Sequence, residues 1–157
     1  MIIHCDSVRY IWEVMENKEY GFLFDDLIVL DAGCNIGTFS LWIYPHTSII
    51  HAVDMEQKYL DLFNETIKAN SLTKIKLYKD RVTDMASFMF GHGINMVDIL
   101  KMDIEGDEIE VFNQSNFPKD RIRTIIGEYH NRPVKDKLQN LGYRYFDYPN
   151  QHFMART

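Results

Sequence analysis

The sequence predicts an open α/β domain: a mostly parallel sheet with helices on both faces, finished by an antiparallel hairpin. Three observations predict it. Short apolar runs alternate with stretches of helical period along the chain, the pattern of successive βα units with right-handed crossovers. The first run, Leu27, Ile28, Val29 and Leu30, is unbroken by polar residues, as expected of a strand covered on both sides. The last residues change style, with two short apolar stretches around the polar turn Asp147, Tyr148, Pro149, Asn150 and Gln151.

Taken in order, residues 8–20 place Val8, Ile11, Trp12 and Met15 on one helical face. Residues 27–30 form the first strand and 48–53 the second. Leu60, Phe63 and Ile67 then mark a helix. Residues 75–78 make a third strand and 97–102 a fourth, the latter interrupted by Lys101. Ile109 and Phe112 belong to a helix starting near Glu105, and 122–126 make a fifth strand. Val134, Leu138 and Leu141 lie on a helix stopped by Gly142. Residues 143–146 and 152–155 pair as the terminal hairpin. The whole chain, 1–157, reads as one domain, with 1–26 a helical leader and 27–157 the core.

Its 157 residues suffice for a self-contained core. A hydrophobic share of 46% and a charged share of 25% exclude a disordered or fibrous chain. No apolar run is long enough to cross a bilayer, and the start lacks the pattern of a secretion signal. The net charge of −6 argues against a phosphate backbone as the main partner. Cys5 and Cys34 form no metal-like pair. A soluble, cytoplasmic protein is expected, with nucleic acid disfavoured and no transmembrane segment.

Ligands of such sheets sit beyond the carboxyl ends of the strands. After the first strand comes Asp31-Ala32-Gly33-Cys34-Asn35-Ile36-Gly37, which opens a helix through Thr38 and Phe39. Gly33 allows a positive φ and a close main-chain approach, and Gly37 allows tight packing of the helix. A dinucleotide fingerprint would need glycines where Asn35 and Thr38 stand, and no phosphate loop follows. Asp54, closing the second strand, can accept hydrogen bonds from a ribose or simply cap the next helix. Cys34 reads as a small packing residue.

The fourth strand runs into Asp103, Glu105, Asp107 and Glu108. Asp107 and Glu108 suit the first turn of a helix, whereas Asp103 and Glu105 fall where the strand ends. A buried Lys101 needs an acid partner, and Glu128 on the adjacent strand is one option. The acid cluster is read as metal-free. At the fifth strand end, His130 near Glu128 is a candidate proton acceptor at neutral pH, or a plain loop residue.

These residues are recognisable together. The segment from Val29 to Gly37 resembles the first motif of class I S-adenosylmethionine-dependent methyltransferases. Lys101-Met102-Asp103-Ile104-Glu105-Gly106-Asp107-Glu108 resembles the Lys-x-Asp-x-Glu-Gly-x-Glu segment of the FkbM-type family, and Glu128-Tyr129-His130 its Glu-x-His. The three stand in the family's order over 27–130. The resemblance implies a Rossmann-like seven-stranded sheet with a final antiparallel strand. S-adenosylmethionine is the implied cofactor, and the implied reaction is methyl transfer, typically to a hydroxyl of a small molecule, sugar or lipid. Carried over, Asp31, Gly33, Asn35 and Gly37 hold the methionine end of the cofactor and Asp54 its ribose. Asp80 and Arg81 lie beside the adenine, and Asp103 and Glu105 near the sulfonium. Asp54-Met55 replaces the Glu-Pro often found in the family, and the leader leaves little material for a lid. His130, Glu105 and Asp103 compete as proton acceptor. The alternatives are a binding module without chemistry, a methyltransferase acting on RNA or protein, and a nicotinamide oxidoreductase, against which the glycine spacing counts.

Overall fold

The computed structural model describes residues 26–129, 134–147 and 152–157. The expected helix of 8–20, His130 and most of the terminal turn lie outside the described residues. The seven strands are β1 (Leu27–Ala32), β2 (Thr47–Asp54), β3 (Ile75–Lys79), β4 (Val97–Met102), β5 (Ile122–Glu128), β6 (Arg144–Asp147) and β7 (His152–Arg156). They form one sheet in the order β3-β2-β1-β4-β5-β7-β6. Strands β1 to β5 pair in parallel, and β7 runs antiparallel between β5 and β6. The expected parallel sheet with an antiparallel hairpin is the observed one.

The helices are α1 (Thr38–Ile43), α2 (Gln57–Ala69), α3 (Met85–Gly91), α4 (Glu108–Phe112) and α5 (Lys135–Asn140). Side chains alternate across a strand, so each strand feeds two cores. Val29, Ile50, Ile99 and Ile126 pack with Phe39, Ile43 and Phe63 of α1 and α2. Leu30, Val53, Leu100 and Ile125 pack on the opposite face with Phe88, Phe112 and Leu138 of α3, α4 and α5. Burial on both faces explains the continuous apolar reading of β1.

Two readings of the sequence needed correction. The helix expected from Glu105 starts at Glu108. Glu105 (φ 59°) and Gly106 (φ 106°) take left-handed backbone, which no α-helix accommodates. Helix α3 was not foreseen, although Asp84 caps it by accepting from the Ser87 amide at 2.8 Å. Its Met85, Phe88 and Met89 are buried at helical spacing.

A candidate cofactor and acceptor cleft

The sheet order reverses between β1 and β4, and a cleft of about 780 Å³ opens over the carboxyl ends of the strands there. This is the switch-point position at which open α/β sheets take ligands. Gly33, Asn35, Asp54, Asp80, Arg81, Asp103, Glu105 and Lys101 all line it. Asp31 and Gly37 do not. Asp31 is completely buried below the cleft, and Gly37 lies where an added Cβ would come within 2.2 Å of the Phe63 ring. Gly37 therefore makes room for α2.

The turn after β1 is shaped by its own amides. Gly33 N and Cys34 N both donate to Val53 O at 3.0 Å, and Gly37 N donates to Cys34 O at 2.8 Å. Gly33 (φ 76°) and Asn35 (φ 51°) are both left-handed. A Cβ on Gly33 would stand 1.8 Å from the Asp103 carbonyl oxygen, so glycine is required by the close approach of the two strand ends. Asp54 ties this turn to the next helix: Oδ2 accepts from Asn35 N at 2.9 Å and Oδ1 from Glu56 N at 2.8 Å. Each carboxylate oxygen keeps a further lone pair for a ligand hydroxyl. The ribose and capping roles weighed in the sequence are thus compatible.

Beneath the cleft lies a charged cluster on adjacent strands. Asp31 and Lys101 are register partners across β1 and β4. Lys101 Nζ donates to Gly33 O at 2.7 Å and stands 3.4 Å from Asp31 Oδ1 and 3.3 Å from Asp103 Oδ2. Burial pulls the Lys101 pKa down, but the two carboxylates outweigh it, so the ammonium is held charged. Asp31 Oδ2 accepts from the Ser40 hydroxyl at 2.6 Å, fixing the carboxylate from α1. Glu128 is not the lysine's partner. It stands beside His152 instead, with Oε2 3.6 Å from Nε2. His152 is a lining residue that the sequence reading passed over, since only the antiparallel pairing of β5 with β7 brings it to Glu128.

The β4 exit is a strained turn that projects Glu105. Glu108, only 2% exposed, accepts from the Ile104 and Gly106 amides at 3.0 and 3.2 Å and clamps it. Asp107 receives Arg81 Nε at 3.0 Å and Nη2 at 2.6 Å, joining the turn to the segment after β3. Burial, with Asp31 and Asp54 nearby, pushes the Cys34 thiol well above the usual range. A neutral buried thiol is a packing residue, not a nucleophile.

Among the described residues, seven carboxylate side chains line the cleft against three cationic ones, Lys58, Arg81 and Lys101. Apolar Ile36, Phe39, Met55 and Val82 fill between them. A polar end for a ribose, apolar walls for a base and an excess of negative charge fit a nucleoside that carries a sulfonium cation.

Fold and site together define an S-adenosylmethionine-dependent methyltransferase. The family model for the methyltransferase FkbM domain matches residues 5–145, and the chain belongs to that family. No curated protein sequence matches it. Its fold is shared by precorrin-6y C5,15-methyltransferase from Geobacter metallireducens GS-15, with a TM-score of 0.67 and 14% identity over 94% of this chain and 89% of that one. The Streptococcus mutans protein SMU.1697c, solved in complex with SAH, gives 0.64 and 12% over 99% and 97%. A Streptococcus thermophilus rRNA methylase gives 0.66 and 12% over 99% and 96%. At such identities the likeness is one of fold.

Proposed function

We propose that the chain methylates a hydroxyl oxygen on a small molecule, sugar or lipid. The observation that carries this reading is the carboxylate-rich cleft at the switch point. S-adenosylmethionine supplies a methyl group already activated by its sulfonium. The protein must hold it, align an acceptor and take away the acceptor's proton. Asn35 and the Gly33 turn hold the methionine end, with Asp31 and Gly37 supporting them from below. Asp54 holds the ribose, and Asp80 and Arg81 flank the adenine. For the proton acceptor the sequence offers Asp103, Glu105 and His130 as competing candidates.

The same charge excess disfavours RNA, whose phosphates the cleft would repel. The chain acts as one methyltransferase domain, with 27–157 carrying the site and 1–26 as its leader, and it works in the cytoplasm. No helix among the described residues is long and apolar enough to cross a membrane. Calorimetry with S-adenosylmethionine, S-adenosylhomocysteine and NADH tests the cofactor assignment. The first two should bind and NADH should not. Label transfer from methyl-labelled cofactor to small-molecule, sugar and lipid hydroxyl acceptors tests the reaction, and transfer to RNA alone would overturn that acceptor class.

A further inference from the structure

The Glu128–His152 pair closes the cleft on the side away from Asp54. In the order β2-β1-β4-β5, Glu128 at the end of β5 lies three strands from Asp54 at the end of β2. At a strand spacing near 4.8 Å, that is roughly 14 Å across the sheet. A nucleoside anchored at Asp54 and running toward the β1–β4 turns therefore leaves Glu128 on the acceptor's side. Both members of the pair line the cleft. The Glu128 side chain is 33% exposed there, whereas His152 is 10% exposed, behind it.

Their placement is built into the sheet. Glu128 and His152 are register partners across β5 and β7. Gly127 lets β5 approach β4 so closely that a Cβ there would stand 2.0 Å from the Met102 carbonyl oxygen. The backbone carrying Glu128 is thereby fixed against the strand that delivers Asp103. The separation of 3.6 Å between Nε2 and Oε2 is an ion-pair distance, longer than a formed hydrogen bond.

We propose that Glu128 is the catalytic residue that accepts the acceptor's hydroxyl proton, that His152 is its positioning residue, and that the acceptor is an uncharged hydroxyl compound. The inference rests on the methyltransferase reading of the cleft. The acceptor oxygen bonds to the methyl carbon as the carbon–sulfur bond breaks, its electron pair staying on sulfur. The hydroxyl proton passes to the Glu128 carboxylate and from there to water. The products are a methyl ether, a neutral thioether and a regenerated carboxylate. An uncharged acceptor follows from the surroundings, because Asp103 and Glu105 line the same cleft and would repel a phosphorylated or carboxylated one.

The test uses the full chain and a broad panel of uncharged polyols and methyl glycosides beside their phosphorylated and carboxylated counterparts, with methyl-labelled S-adenosylmethionine. Label should enter uncharged members only. Glu128→Gln should lower turnover about 10²- to 10⁴-fold, the range for lost general-base help. Its affinity for S-adenosylhomocysteine by calorimetry should stay within about twofold of wild type, since the variant is isosteric. Among the described residues, His152 from β7 stands against Glu128, and Lys101 of β4 and Asp103 just beyond it line the same cleft. His152→Ala should lower kcat while leaving the affinity for S-adenosylhomocysteine near that of wild type, and His152→Gln should restore kcat in part. Wild-type turnover in Glu128→Gln, preference for anionic acceptors, or no label in any uncharged member would overturn the proposal. Failure of wild type to bind S-adenosylhomocysteine would instead overturn the reading of the cleft.

Discussion

The Lys101 ammonium donates a 2.7 Å hydrogen bond to the Gly33 carbonyl, so the fourth strand holds the glycine turn of the first from below. The same ammonium faces two carboxylates, and one of them, Asp31, is wholly buried. The turn that shapes the cofactor end of the cleft thus depends on a charge the ligand need never touch.

Removing that charge should be costly. Lys101→Met leaves the Asp31 carboxylate buried without its counter-charge, a loss of about 3–5 kcal/mol in comparable pairs. Removing both charges in Asp31→Asn/Lys101→Met should recover much of the loss, because neighbouring sites are non-additive. Urea unfolding of the four proteins checks this. A double variant as unstable as the sum of the singles would show that the two residues act independently.

Asp54→Ala should weaken cofactor binding about tenfold to thousandfold. That range is a total loss of about 1.4–4.2 kcal/mol at 1.4 kcal/mol per decade, the sum of two imperfect hydrogen bonds to a charged acceptor, for which a full bond is worth about 1.5–3 kcal/mol. The variant also strips the acceptor from the Asn35 and Glu56 amides, so stability should fall by about 1–3 kcal/mol. Asp54→Asn, which keeps one carbonyl oxygen, should fall between the two. Calorimetry with S-adenosylhomocysteine beside urea unfolding separates the effects. Wild-type affinity in Asp54→Ala would leave the residue a turn brace alone.

What the sequence reveals, and what it conceals, follows from how each signal is made. β1 and Asp54 are legible because an apolar run covered on both faces ends visibly at a carboxylate. Lys101 is legible as a residue needing an acid, but its choice of Asp31 over Glu128 depends on which face each side chain takes in the parallel register. His152 carries no local signal at all, since its link to Glu128 is made by strand pairing. The left-handed Glu105 is hidden for a different reason. The sequence places a glycine next to it, at Gly106, and gives no sign that the clamp from Glu108 extends the turn by one residue.

That strained residue gives a separable prediction. A non-glycine residue in left-handed backbone costs roughly 1–2 kcal/mol, while glycine costs extra unfolded-chain entropy of about 0.4–1 kcal/mol. Glu105→Gly should therefore raise stability by about 0.5–1 kcal/mol while lowering turnover. Glu105→Ala keeps the strained backbone and should show no such gain. Equal unfolding midpoints for the two variants would mean that relaxation elsewhere already removes the strain.

Away from the cleft, a buried histidine should make the fold sensitive to mild acid. His51 on β2 is 6% exposed, and its Nδ1 lies 2.8 Å from the Tyr78 hydroxyl. Burial, with Lys76 and His92 adding positive charge, lowers its pKa to about 4. In the unfolded chain the imidazole titrates near its ordinary value of about 6.5. Above that pH it is neutral in both states, and its contribution to stability is fully present. As the pH falls from about 6.5 toward 4, the unfolded chain takes up a proton that the folded one refuses, so stability declines. Below about 4 both states carry the proton and the decline from this group is complete. The shift corresponds to a loss on the order of 3 kcal/mol. His51→Asn, which keeps a polar group near Tyr78 but cannot titrate, should flatten the slope between pH 6.5 and 4 in urea unfolding, whatever its cost at neutral pH. An unchanged slope in the variant would assign the acid sensitivity to other groups.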